Sequence, residues 1–260
     1  MTPPLPLVDS HCHLDVSEFD ADRSAVVARA RDAGVTRQVI PAIAQSGWHA
    51  LGALCRTQDG LHPAYGLHPI YLADHRPEHL DELAGVVMHE RPVAIGECGL
   101  DYFVPGLDAD EQRRYFVAQL ELARETDLPV IVHARRAVDE VIATFRRIGG
   151  LRGVVHSYSG SFEQAAQLWK LGFHLGFGGP ITYDRATRLR DIVARMPLEF
   201  LLLESDAPDQ PLAAHRGLRN EPCRVAEVLD QVAALRPESR ETIAAATTAN
   251  AVRLFGLDAA

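Results

Sequence analysis

Leu7-Val8-Asp9-Ser10-His11-Cys12-His13-Leu14 is an apolar run that finishes in two histidines one residue apart. A strand over Leu7–Leu14 sets residues i and i+2 on one face, so His11 and His13 point together and Cys12 points away. Two imidazoles aimed at one spot suit a divalent cation. Alone, the same pair is also what two partly exposed polar residues at a strand end look like.

The ending recurs down the chain. Val93–Gly99 finishes in Glu97-Cys98-Gly99, Val130–His133 in His133, Gly153–His156 in His156, and Phe200–Glu204 runs into Ser205-Asp206. Three more short apolar or β-branched runs, Arg37–Ile43, His62–Leu67 and His174–Phe177, bring the expected strands to eight. Between them lie helical patterns. Ala21–Ala33 carries Ala25, Val26, Ala30 and Ala33 at helical spacing, and Asp110–Glu125 and Ala137–Arg147 read alike. Cys223–Leu235 and Arg240–Phe255 follow the eighth strand. Gly34, Gly149 and Gly172 sign helix stops.

The strands are apolar throughout rather than alternating, as in a parallel sheet covered on both faces. Eight β-α units in 260 residues point to one TIM-type (β/α)8 barrel domain over residues 1–260. An open doubly wound sheet shares the local pattern. No linker or low-complexity segment divides the chain. Ala207–Pro222, the longest structureless stretch, reads as an active-face loop.

In a barrel the strand C-terminal ends converge on one face, where the active site lies. Burying ionisable groups there is costly unless they are paired or bind metal. Five strand ends supply four histidines (His11, His13, His133, His156) and two carboxylates (Glu97, Asp206). Six ligands exceed the usual need of one cation, so a two-metal centre is expected, with a carboxylate bridging ions about 3.5–4 Å apart. Many barrel hydrolases bridge with a carbamylated lysine instead. The sole lysine, Lys170, falls in the helical stretch Gln164–Leu171, which leaves Glu97 for the bridge.

Composition sets outer bounds. With 47% hydrophobic and 23% charged residues the chain can bury a sizeable core. No apolar run reaches about 18 residues, so no membrane span is expected. Met1–Val8 lacks the basic and apolar regions of a signal peptide. The four cysteines are scattered without a C-x-x-C pair, which reads as a reduced, cytoplasmic setting. A net charge of -9 argues against a broad basic surface for long duplex DNA and leaves room for single-stranded or short substrates.

The motifs D-S-H-C-H-L-D, G-L-H-P, G-E-C-G-L-D-Y, P-V-I-V-H-A-R, H-S-Y-S-G and L-L-L-E-S-D-A-P, in this order, resemble the TatD family of metal-dependent hydrolases. Asn220–Pro222 and Asn250–Phe255 fit too, and Gly178–Tyr183 resembles its YjjV-like bacterial branch. The resemblance runs nearly end to end. It implies a TIM barrel acting as a divalent-metal phosphodiesterase of the deoxyribonuclease type. It also implies that His11, His13 and Asp206 hold one metal and His133 and His156 the other, with Glu97 shared and His68 reaching the substrate. Two departures stand out: Ile70 replaces a histidine frequent after the G-L-H-P proline, and Ser157-Tyr158 stand where cysteine and phenylalanine are usual.

The chemistry expected is metal-assisted hydrolysis of a phosphate ester, with Mg, Mn, Zn or Co as cation and Asp206 orienting water and accepting its proton. The substrate is nucleic acid or a small phosphodiester; no obligate protein partner is evident. Arg135, two residues past His133, can face the site as a phosphate fork or form a surface salt bridge. Arg216 and Arg219 line the substrate path or are solvated. Glu204 steadies a ligand histidine or pairs with an arginine. His49, His62, His75, His79, His89, His174 and His215 read as surface or packing residues, and Trp48 and Trp169 as packing. The same centre also suits another ester, a lactone or an amide, because fold does not decide chemistry. A non-catalytic metal-binding protein would have lost a ligand, and all six are present.

Overall fold

The computed structural model describes residues 4–257; the outermost three positions at each end, including the start of Met1–Val8, lie outside them. All eight expected strands are present: β1 Leu7–Asp9, β2 Val35–Pro41, β3 Leu61–Tyr65, β4 Ala94–Asp101, β5 Val130–Arg135, β6 Gly153–Val155, β7 Phe173–Phe177 and β8 Leu201–Leu203. They pair in parallel in sequence order from β1 to β8. The helices are α1 Arg23–Asp32, α2 Trp48–Thr57, α3 Glu78–Glu90, α4 Ala109–Thr126, α5 Val138–Ile148, α6 Phe162–Lys170, α7 Thr187–Arg195, α8 Val225–Leu235 and α9 Arg240–Phe255. This is a TIM-type α/β barrel and not the open sheet.

The seam between β8 and β1 closes mostly beyond the strands. Ser10 N donates to Leu203 O at 3.0 Å, Asp206 N to His11 O at 2.9 Å and His13 N to Ala207 O at 2.7 Å. Closing the barrel thus brings His11, His13 and Asp206 together.

Val8, Val39, Ile131, Val154 and Leu202 fill the barrel interior and pack on Ala251, Leu254 and Phe255 of α9. Each such aliphatic side chain contributes about 1.5–3 kcal/mol by leaving water. Asn250 donates to Leu198 O at 2.8 Å and Leu201 O at 3.0 Å, so α9 plugs the N-terminal end and leaves the C-terminal end open.

Three expectations are corrected in detail. β1 stops at Asp9 rather than Leu14, because Ser10–His13 turn onto the seam. β4 runs on to Asp101, two residues past the expected Gly99. The buried face of α1 is Val26, Val27 and Ala30, while Ala25 is exposed. The glycine stops hold, with Gly34, Gly149 and Gly172 at φ +92°, +66° and +84°. Lys170 is the last residue of α6 and exposed, well removed from a strand end.

Candidate metal centre

Glu97, from β4, is buried among histidines from four other segments. Its Oε1 lies 2.8 Å from His156 Nε2, 2.9 Å from His68 Nε2 and 3.2 Å from His133 Nδ1. Its Oε2 lies 3.2 Å from His11 Nε2 and 3.6 Å from His13 Nε2. The two oxygens therefore face two different histidine sets. Asp206 Oδ1 joins the second set, 3.5 Å from His11 Nε2 and 3.7 Å from His13 Nε2. Burial pushes the Glu97 carboxyl up, but His68, His156 and His11 outweigh it and hold it well below the usual carboxylate range. Burial drives His11 well below the usual imidazole range, with His156 adding to the effect.

Several ring nitrogens are aimed from behind. Asp101 Oδ2 accepts the Nε2 proton of His133 at 2.8 Å, which leaves the Nδ1 lone pair facing Glu97. His13 Nδ1 faces the carbonyl of Pro41 at 3.2 Å; a carbonyl only accepts, so Nδ1 carries the proton and Nε2 offers its lone pair inward. His68 is set the other way. Its Nδ1 accepts from Ile70 N at 3.2 Å, so Nε2 carries the proton and points at Glu97.

The donor set fits divalent cations. Among the described residues, three groups bring ligand atoms within 4.8 Å of one another: His11, His13 and Asp206; His11, Glu97 and His156; and His68, Glu97 and His133. Glu97 Oε1 takes the His68 Nε2 proton, but Oε2 is buried without a hydrogen-bond partner, and His11 Nε2 beside it lies 3.2 Å from His13 Nε2. Unsatisfied carboxylate oxygens against clustered imidazole lone pairs are costly in a protein interior unless a cation joins them. The clusters line the floor of a cavity of about 610 Å³ whose walls include Tyr71, Ile70, Val104 and Arg135.

Around this floor lie residues the sequence reading missed. Asp9 is buried, accepts from Ser205 Oγ at 2.5 Å and Ser205 N at 2.9 Å, and burial pushes it up to about 7. Gln210 Nε2 donates to Asp206 Oδ2 and to Ser157 Oγ. Asn220 donates to Ser205 O at 2.7 Å and Asp209 O at 2.9 Å, tying the 207–222 loop over the seam. His75, read as packing, has its Nε2 2.9 Å from His68 O, and so braces the backbone of His68. Asp101 carried the one available signal: it sits four residues past Glu97, on the same strand parity.

Among the described residues Glu204 has no arginine partner. Its Oε1 accepts from Ser157 N at 2.5 Å and lies 3.9 Å from His156 Nδ1, and burial pushes the carboxyl up to about 8. Gly176 leaves it room, since a Cβ there would stand 2.0 Å from Glu204 Oε2. Arg219 does not face the cavity: it pairs with Asp22 at 2.8 Å and Glu221 at 3.0 Å and covers Phe19. Arg135 makes neither a salt bridge nor a hydrogen bond through its side chain among the described residues; its guanidinium carbon stands 3.6 Å over the Phe103 ring. Cys12 and Cys98 are fully buried with thiols toward backbone carbonyls, away from the clusters. Trp48 is buried, its Nε1 donating to Gly66 O at 3.1 Å.

The family described as TatD related DNase matches residues 8–256. The chain belongs to the TatD family. Like other members, this TatD-family chain is a metal-dependent hydrolase with His/Glu/Asp clusters able to bind metal. It is 40% identical to "Uncharacterized metal-dependent hydrolase YjjV" of Escherichia coli K12 over 254 residues, covering 96% of this chain and 98% of the relative. It is 37% identical over 265 residues to "3'-5' ssDNA/RNA exonuclease TatD" of Pantoea sp., covering 96% of this chain and all of the relative. The crystal structure of the E. coli YjjV TatD homologue superposes with a TM-score of 0.94 at 38% identity, covering 97% and 98% of the two chains. No helix among the described residues is long and apolar enough to cross a membrane.

Proposed function

We propose that this TatD-family hydrolase cleaves phosphodiester bonds in single-stranded or short DNA, using two divalent cations. The observation that carries the reading is the division of Glu97, whose two oxygens face separate histidine sets. His11, His13 and Asp206 would hold one cation, His133 and His156 the other, with Glu97 shared. Such cations stabilise charge developing on phosphoryl oxygens and lower the pKa of a water.

The chain's own residues do the rest. Asp206 Oδ1 faces the clusters while its Oδ2 is held by Gln210, so one oxygen is free to orient water and accept its proton. His68 presents a proton on Nε2 and not a lone pair, which suits a donor to a substrate oxygen better than a metal ligand. Arg135, on the cavity wall with its donors unpaired, suits a phosphate. The 37% identity to the Pantoea exonuclease supports a nucleic-acid substrate. Four free cysteines agree with a reduced, cytoplasmic setting.

The test is metal-titrated digestion of end-labelled single-stranded DNA with products sized on a gel, beside bis-p-nitrophenyl phosphate, an amide and a lactone. Metal-dependent shortening of the DNA is expected. Turnover of the amide or lactone with no cleavage of any phosphodiester would overturn the reading.

A further inference from the structure

Phe103 is 44% exposed in the β4–α4 loop, next in sequence to the cavity-lining Val104 and under the cavity-lining Arg135, an unusual place for a large apolar ring. Two guanidinium groups cover it. The Arg135 Cζ lies 3.6 Å and the Arg136 Cζ 4.7 Å from its centroid. Both arginines are exposed, and among the described residues neither side chain has a carboxylate or hydrogen-bond partner. Most neighbouring charges are committed elsewhere: Asp101 to His133, and Glu140 to Arg113 and Tyr102.

The backbone is arranged for this pairing. Successive residues of an extended strand point to opposite sides. Arg136 takes a left-handed φ of +56°, which turns the chain so that its side chain reaches the ring Arg135 already covers. From below, Asp101 Oδ1 accepts from Phe103 N at 2.8 Å and Val104 N at 2.9 Å. The carboxylate that aims His133 thus also fixes the loop carrying Phe103. One carboxylate ties the Phe103 loop to the metal clusters.

We propose that Phe103, Arg135 and Arg136 form a strand-gripping subsite, which takes the phosphate and base flanking the scissile phosphodiester of a single-stranded oligonucleotide. The ring holds two guanidinium planes whose in-plane donors stay free for phosphate oxygens, and whose outer faces can stack on a base. Arg135 lines the cavity and Arg136 does not, so the subsite leads outward from the clusters along a strand. Two unpaired cations here also give an acidic chain a local foothold for a polyanion. The proposal rests on the phosphodiesterase reading and narrows it: the substrate is a strand with more than one phosphate, not an isolated small diester.

The experiment is fluorescence anisotropy of a fluorescein-labelled, nuclease-resistant phosphorothioate ten-residue oligo-dT with the metal-loaded full chain, over a salt series. Arg135→Ala/Arg136→Ala should weaken binding about tenfold or more and flatten the log–log salt slope by roughly 1.4, as for two lost phosphate contacts on a single strand. Phe103→Leu, which keeps both charges, should weaken binding while losing less of the slope. Unchanged affinity and slope in the double arginine variant, or no oligo-dT binding by the parent, overturns the subsite. A separate arm isolates the parent reading: if the native chain cleaves no phosphodiester yet oligo-dT binding still depends on the arginines, the function fails and the subsite stands.

Discussion

Asp101 Oδ2 takes the Nε2 proton of His133 at 2.8 Å, while its Oδ1 accepts from the two following backbone amides. Both of its oxygens are thus engaged by fixed donors. The histidine and backbone protons outweigh burial, which opposes them, and hold the carboxyl down at about 2. Asp101→Asn replaces one acceptor oxygen with an amide NH2, so the side chain can no longer accept from both His133 and the two backbone amides. Metal affinity by calorimetric titration should fall about 10- to 100-fold, as for other groups that aim a ligand histidine. Wild-type affinity in a folded Asp101→Asn chain would show that His133 holds no cation.

Glu97 and Asp206 make the second prediction. Glu97→Ala with Asp206→Ala removes the carboxylate proposed to be shared and the proposed proton acceptor together. The chain should stay folded by circular dichroism and lose all metal-dependent hydrolysis. Chelation of the native chain should do the same reversibly. Metal at 100 times its dissociation constant should stabilise the native chain by about 2.7 kcal/mol, seen as a raised Tm, and the double variant should show no such rise. Activity at the wild-type rate in the double variant sinks the mechanism.

What could be read beforehand, and what could not, follows from range. Glu97 and His133 end or extend apolar runs, so strand identity alone places them on one barrel face. The seam was not legible: His11 and His13 leave the ladder, and what brings them beside Asp206 is hydrogen bonding between segments about 200 residues apart. Gln210 holds Asp206 from a loop, at φ +50°, which no periodicity marks. Arg219 reads from the sequence as a path-lining or a solvated arginine because Asp22, its partner, is remote in sequence. Asp101 was missed for a smaller reason, since the glycine at 99 reads as a strand end. Gly99 in fact continues β4 at φ +145°, where a Cβ would stand 2.0 Å from His133 O.

Gly176 carries a steric prediction. A Cβ there would stand 2.0 Å from Glu204 Oε2 and 2.7 Å from its Cδ. Glu204 is buried and anchored to Ser157 N, so it cannot swing into solvent without exposing that amide. Gly176→Ala should destabilise the fold by about 1–3 kcal/mol in urea, the usual cost of overpacking. It should also lower kcat, since His156 is linked to Glu204. An unchanged urea midpoint would mean that Glu204 is loosely held.

His174 supplies the pH dependence. It lies on β7, buried near Phe200, outside the metal clusters. Burial lowers its pKa to about 4, against a backbone bond to Gly153 and with help from Arg253. A folded pKa below the unfolded value means the unfolded chain takes up the proton first as pH falls. The folded state is therefore fully favoured above pH about 6.5 and loses stability as pH drops toward about 4. Across that window the loss reaches about 3 kcal/mol, the equivalent of the shift from 6.5. Comparing urea unfolding of the native chain with His174→Leu at pH 8, 6 and 5 isolates it, because the clustered histidines titrate alike in both. The difference in stability should move in favour of the variant as pH falls. A difference that stays constant with pH would show that His174 is solvated enough to ionise in the folded chain.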